Sequence, residues 1–151
     1  VRRWFGLRMA VHGELYDLGR AEGFFAEESG EITGLITCRT EGSSMEILSM
    51  DSAREGTGTG TALLRAAIAE ARSAGCRRIT LITTNDNLPA LRFWQKRGFD
   101  IVALHRNAVA EARRLKPEIP ETGLDGIPLR HEIELAMHLT EDPEKGMGND
   151  A

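Results

Sequence analysis

One segment constrains this chain more than any other. In Asp51-Ser-Ala-Arg-Glu-Gly-Thr-Gly-Thr-Gly-Thr-Ala-Leu-Leu64, Gly56, Gly58 and Gly60 alternate with threonines between a strand-like run and a helix-like run. Glycine lets the backbone turn tightly and approach a ligand, because no Cβ intervenes. Where such a turn opens a helix, several N–H groups converge at an end carrying partial positive charge. That combination suits an anion, above all phosphate or pyrophosphate. Thr57, Thr59 and Thr61 add hydroxyls. The same residues are also compatible with a tight strand-to-helix turn that holds no ligand. Two other phosphate motifs do not fit. A P-loop ends in Gly-Lys-Ser/Thr, and no lysine lies here. A dinucleotide fingerprint needs a third glycine where Leu63 stands.

The surrounding pattern places this turn. Phe24–Glu28 and Ile32–Arg39 read as strands joined by a Glu28-Ser-Gly-Glu31 hairpin turn, and Met45–Met50 as a third strand. From about Gly58 to Ala74, Leu63, Leu64, Ala67, Ile68 and Ala71 recur at helical spacing, with Gly75 as the stop. Arg78–Thr84 is a β-branched strand. A helix from Leu88 to Arg97 follows, with Asn87 as its N-cap and Pro89 in its first turn. Phe99–Leu104 predicts a strand, Ala108–Leu115 a short helix ended by Pro117, and Glu132–His138 a closing strand. A hairpin-rich first half feeding βαβ units implies an α+β or α/β chain, with helices packed on a mixed sheet.

Length and composition set outer bounds. The 151 residues suit one domain over 1–140, with the polar, glycine-containing 141–151 as a disordered tail. A net charge of −4 argues against nucleic acid as a partner. No apolar run approaches the roughly 20 residues of a membrane span, and no secretory signal is visible. The expectation is therefore a cytoplasmic protein. Cys38 and Cys76 read as buried free thiols rather than a disulfide, and the scattered His12, His105, His131 and His138 suggest no metal site.

Asn87-Leu-Pro-Ala-Leu-Arg-Phe-Trp-Gln-Lys-Arg-Gly-Phe99 is by itself an amphipathic helix with Ala90, Leu91 and Trp94 inward. With the glycine turn about thirty residues earlier, it resembles the GNAT superfamily of N-acetyltransferases. The two signatures concerned are Arg/Gln-x-x-Gly-x-Gly/Ala and Asn-x-x-Ala-x-x-Phe-Tyr-x-x-x-Gly-Phe. The likeness runs from about Phe24 to Leu104. Ala112–Pro120 and Asp125–Arg130 look like those of an uncharacterised bacterial subgroup.

The resemblance implies a splayed, mostly antiparallel sheet in three α-β-α layers, binding acetyl-CoA as co-substrate. It places the pyrophosphate on the amides of Gly56, Thr57, Gly58, Thr59, Gly60 and Thr61. The pantetheine arm would run beside Met50 and Ser52, pairing with their backbone, and Asn87 would reach the pantetheine side of the cofactor. Three departures stand out. The family's Arg/Gln falls on Glu55, whose carboxylate must point away from a pyrophosphate, with Arg54 to offset it. The usual tyrosine falls on Trp94, which cannot donate a proton to a thiolate at neutral pH. Only some 23 residues precede the first hairpin, so the family's first strand and part of its first helix are expected to lie upstream of Val1.

The implied reaction is acetyl transfer to a primary amine of a small molecule or peptide, by direct attack in a ternary complex. No metal is required, and a homodimer is compatible with the sequence. Glu46, on the strand that feeds the turn, is the candidate general base. Alternation places Glu46, Leu48 and Met50 on one face and Met45, Ile47 and Ser49 on the other. A structurally paired strand glutamate is the competing reading. Tyr16, the one tyrosine, and His12 and His105 are weaker candidates, Trp4 and Phe5 read as packing or pocket residues, and Arg77-Arg78 and Arg113-Arg114 read as solvated faces. An inactive CoA-binding sensor or interaction module is the other class of function.

Overall fold

The structure, a computed structural model, describes the backbone of residues 2–5, 8–11, 14–17, 21–52 and 56–139, and side chains over 22–52 and 56–139. The chain forms two compact units, 1–79 with 138–151, and 80–137.

In the first unit, strands β1 (Arg2–Phe5), β4 (Ala21–Glu28), β5 (Glu31–Glu41) and β6 (Ser44–Ser52) pair in that order. Every pairing among them is antiparallel. Short strands β2 (Arg8–Val11) and β3 (Glu14–Asp17) form a separate antiparallel pair. These early strands carry no pattern strong enough to announce them in the sequence. Tight turns close the long hairpins. Gly30 (φ 82°) and Gly42 (φ 59°) take the left-handed conformation that a two-residue turn requires.

Helix α1 (Thr59–Ser73) buries Leu63, Leu64, Ala67 and Ala71. Their steps of one, three and four residues make the helical stripe legible in the sequence. The sheet supplies Phe24, Ile36, Cys38, Met45 and Ile47 to the same core. Gly34 makes the close approach feasible, since a Cβ there would meet Thr59 Cγ2 at 2.7 Å, Leu63 Cδ1 at 3.0 Å and the Asp51 carbonyl at 3.2 Å. After the helix, Arg77 N donates to the Ser43 carbonyl (2.7 Å) and Leu139 N to the Arg77 carbonyl (2.7 Å).

β6 differs from simple alternation. Thr37 pairs with Ser49 but Cys38 pairs with Ile47, so Leu48 is an extra residue, a β-bulge. The insertion changes the phase of side chains beyond it. Met45, Ile47, Met50 and Ser52 therefore share the face of Cys38, Ile36 and Gly34, against α1. Glu46, Ser49 and Asp51 share the opposite face with Arg39, Thr37 and Leu35. The expectation that Glu46 and Met50 point the same way is corrected by this one-residue shift.

In the second unit, β7 (Arg78–Thr84, of which Thr80–Thr84 belong here), β9 (Glu132–His138) and β8 (Asp100–His105) are neighbours in that order. β8 and β9 are antiparallel. Helix α2 (Leu88–Lys96) buries Trp94, which meets Phe93 and Phe99 edge-on at centroid distances of 4.9 and 5.2 Å. Helix α3 (Ala108–Leu115) precedes a long connection that side chains pin down. Arg113 donates from Nε to the Ile119 carbonyl and from Nη2 to those of Pro120 and Leu129. Read from sequence as a solvated residue, Arg113 is instead a loop clamp. The whole is a mixed α/β fold with a mostly antiparallel sheet flanked by helices. Cys38 and Cys76 are buried free thiols. Burial pushes the Cys76 thiol up from its ordinary value of 9.0, with Glu22 and Glu70 adding to the rise and the Thr40 hydroxyl opposing it.

Candidate active site

The glycine segment folds as its composition dictates. Gly56 (φ 77°) and Gly58 (φ 80°) hold left-handed conformations that a side chain would strain. Nothing lies within 4 Å of a Cβ built on either, so the approach to their backbone is open. Gly58 is the N-cap of α1 and no side chain caps the helix there. The helical ladder starts with Ala62 N donating to the Gly58 carbonyl (3.0 Å). The amides of Thr59, Gly60 and Thr61 therefore precede the ladder, at the positive end of a 15-residue helix. Thr57 and Thr59 lie with their hydroxyls 3.0 Å apart across the turn. An anion resting on these amides would meet backbone donors and no carboxylate side chain of the first helical turn, which contains no acidic residue.

The structure brings Ser52 beside this start, because Ser52 pairs with Gly34 and Gly34 lies under Thr59. Met50 lies two residues back on the same face of β6. The cradle thus rests on a residue that motif reading overlooked, Gly34. Arg54 and Glu55 lie outside the described residues, as does His12. Tyr16 lies on β3, with only its backbone described.

Glu46 sits on the other face, at the third pair from the β5–β6 turn. Its carboxylate is 3.6 Å from Arg39 Nη2, and the two side chains are 41% and 47% exposed respectively. Two pairs further along, on the same face, the buried Thr37 hydroxyl and the Ser49 hydroxyl are 2.6 Å apart. The bulge places Ser49 here. The ion pair with Arg39 is the structural pairing that competes with a catalytic role for Glu46.

The second unit holds Asn87. Its Oδ1 accepts from Ala90 N (3.2 Å), so it caps α2 as the sequence predicts. Immediately before it, the buried Asp86 accepts from Thr84 Oγ1 (2.5 Å) and from Leu124 N (2.9 Å). Asn85 accepts from the amides of Arg130 and His131 and donates to the Pro128 carbonyl. This network was not legible as more than a polar loop. Trp94 is 6% exposed and packs as core aromatic. His105 is exposed at the end of β8.

Among the described residues no group of three or more His, Cys, Asp or Glu could hold a metal ion. No helix among them is long and apolar enough to cross a membrane.

Comparison with known proteins agrees with this geometry. The acetyltransferase (GNAT) family model matches residues 4–99. YdhI of Bacillus subtilis (strain 168), a protein described as uncharacterised, is 48% identical over 134 residues, covering 88% of this chain and 84% of its own. The IAA acetyltransferase from Bacillus cereus ATCC 14579 superposes with a TM-score of 0.69 at 28% identity, over 80% of this chain and 79% of that one. A Bacillus subtilis acetyltransferase in complex with CoA superposes with a TM-score of 0.70 at 25% identity, over 82% and 80%. A fold that repeats theirs, a matched span that includes both glycine turn and α2, and close identity to YdhI have one explanation: the chain belongs to the acetyltransferase (GNAT) family.

Proposed function

We propose that this chain transfers the acetyl group of acetyl-CoA to a primary amine, by direct attack within a ternary complex. The observation that carries the reading is the start of α1. Two left-handed glycines and three amides ahead of the helical ladder form an anion cradle, in a chain of acetyltransferase family. The structure of a relative with CoA bound supports the choice of anion. In this reading the amides from Gly56 to Thr61 hold the pyrophosphate, and Met50 and Ser52 line the pantetheine with their backbone. Asn87 remains a cofactor contact on the resemblance alone.

Acetyl-CoA supplies the thioester, and the chain supplies position and a base. Holding amine and thioester together is worth several kcal/mol, up to roughly 7–11 in well-oriented systems. Glu46 takes the proton of the attacking amine, directly or through water. A backbone N–H of β6 near Met50 stabilises the developing oxyanion. Trp94 donates nothing here. The thiolate leaves without a tyrosine acid, which is tolerable for a thiol of pKa about 8.5. Burial of Trp94 is the observation that favours the alternative, a CoA-binding module without transfer. Incubation with acetyl-CoA and an amine panel, following release of CoA thiol, separates the two. Glu46→Gln should then lower turnover by roughly 10²–10⁴, with partial recovery at high pH, where the amine is already neutral. Near-normal turnover at pH 7 would remove Glu46 from the mechanism.

A further inference from the structure

Arg39 is the only Lys or Arg between Ala21 and Ser52, a stretch holding seven carboxylates: Glu22, Glu27, Glu28, Glu31, Glu41, Glu46 and Asp51. It lies on β5 three pairs from the β5–β6 turn, directly opposite the candidate base. Their separation of 3.6 Å exceeds the 2.7–2.9 Å of a charge-assisted hydrogen bond. Both side chains are also close to half exposed. An exposed pair of that kind adds little stability, so exchanging its partners costs little. A cation and an anion side by side, loosely joined, present a charge pattern complementary to an ammonium beside a carboxylate. The neighbouring Ser49 and Thr37 hydroxyls continue the same face with neutral polar groups.

We infer that the acceptor is a small amino-carboxylate, an α-amino acid or a close analogue, and that Arg39 determines this specificity. The inference rests on the transferase reading above. Glu41, Glu46 and Asp51, which share the face of Arg39, draw the ammonium group, and Arg39 is where the carboxylate docks. Binding exchanges one ion pair for two: Arg39 takes the acceptor carboxylate in its planar fork, and Glu46 takes the ammonium. Glu46 accepts a proton from the ammonium. The freed nitrogen lone pair forms the N–C bond at the thioester carbonyl carbon, and the C–S bond breaks with its electron pair on sulfur. The second N–H proton passes to solvent, and the thiolate is protonated from water. An amine lacking the carboxylate leaves Arg39 on Glu46, where it holds the base in its charged, paired state.

The test compares matched acceptors, each amino acid against its decarboxylated amine, at fixed acetyl-CoA, reading kcat/KM from thiol release. Charge-assisted hydrogen bonds of about 1.5–3 kcal/mol predict a preference of roughly 10- to 100-fold for the amino acid. Arg39→Gln should collapse that ratio towards one, mainly through KM for the amino acid. Arg39→Lys, which keeps the charge but not the fork, should leave an intermediate ratio and guards against a loss caused by misfolding. Equal or better turnover of the decarboxylated amines by the unaltered protein overturns the inference. So does an Arg39→Gln variant that keeps the ratio. Release of thiol with no acceptor of either series, while calorimetry still shows CoA binding, overturns the transferase reading and this inference with it.

Discussion

The two best-formed helices begin in opposite ways. Helix α1 starts on a left-handed glycine with no side-chain cap, and its first ladder bond comes at Ala62. Helix α2 starts on Asn87, whose side chain bonds Ala90 N, and the preceding Asp86 and Asn85 stitch the nearby loop to the helix start. A side-chain cap is worth about 1 kcal/mol, and α1 forgoes it although its neighbouring threonines could supply one. The absence of a side-chain cap is tolerable at an exposed end, and it is useful where an anion is to bind. In the proposed reading, the difference separates an end left open for an anion from an end fixed by side chains.

The strongest way to break this contrast is to close the open end. Gly58→Val places a β-branched residue at φ 80°, where only glycine is unstrained. CoA affinity by calorimetry should fall by about a hundredfold or more, for roughly 2.7 kcal/mol lost from the pyrophosphate contacts, while circular dichroism retains the helix. Unchanged affinity in the folded variant would place the phosphate elsewhere.

Opening the closed end should cost stability instead. Asp86→Ala removes the buried carboxylate that accepts from Leu124 N and Thr84 Oγ1. A loss of about 1–3 kcal/mol is expected in urea denaturation. A loss below 0.5 kcal/mol would show that the loop anchors without Asp86.

A smaller change sharpens the role of Asn87. Asn87→Ala should cost about 1 kcal/mol as a lost cap. Asn87→Asp keeps the oxygen that Ala90 N needs and removes the amide donors, so stability should return. If CoA affinity still falls in the Asp variant, Asn87 serves the cofactor as well as the helix. If it recovers with stability, capping is its whole contribution.

The smallest effect concerns the first unit's core. The Cys76 thiol is held above its ordinary value, chiefly by burial. The unfolded chain therefore loses this proton first. The stabilisation is fully present below the unfolded value near 9.0 and declines as pH rises through the higher folded value. The thermal midpoint should drop between pH 8 and 10 somewhat more steeply in the unaltered protein than in Cys76→Ala. Parallel curves would show that other groups set the alkaline limit.

What the sequence determined by itself was local. The glycine turn, the α1 stripe and the Asn87 cap each depend on residues within a few positions of one another, and each appears within two residues of where spacing placed it. What only the tertiary structure decided were relations between distant segments. The extra residue at Leu48 turns Ser49 onto the face of Glu46 and Met50 away from it, a phase change visible only against the register of β5. Gly34 looks like any strand glycine until Thr59 and Leu63 are packed over it. Arg113 looks solvated until three carbonyls from the following connection and from Leu129 gather around it. Propensity and capping act through neighbours along the chain, so one sequence carries them. Strand register, close packing and the partner of an ion pair are settled by which segments meet, and that is a property of the folded whole.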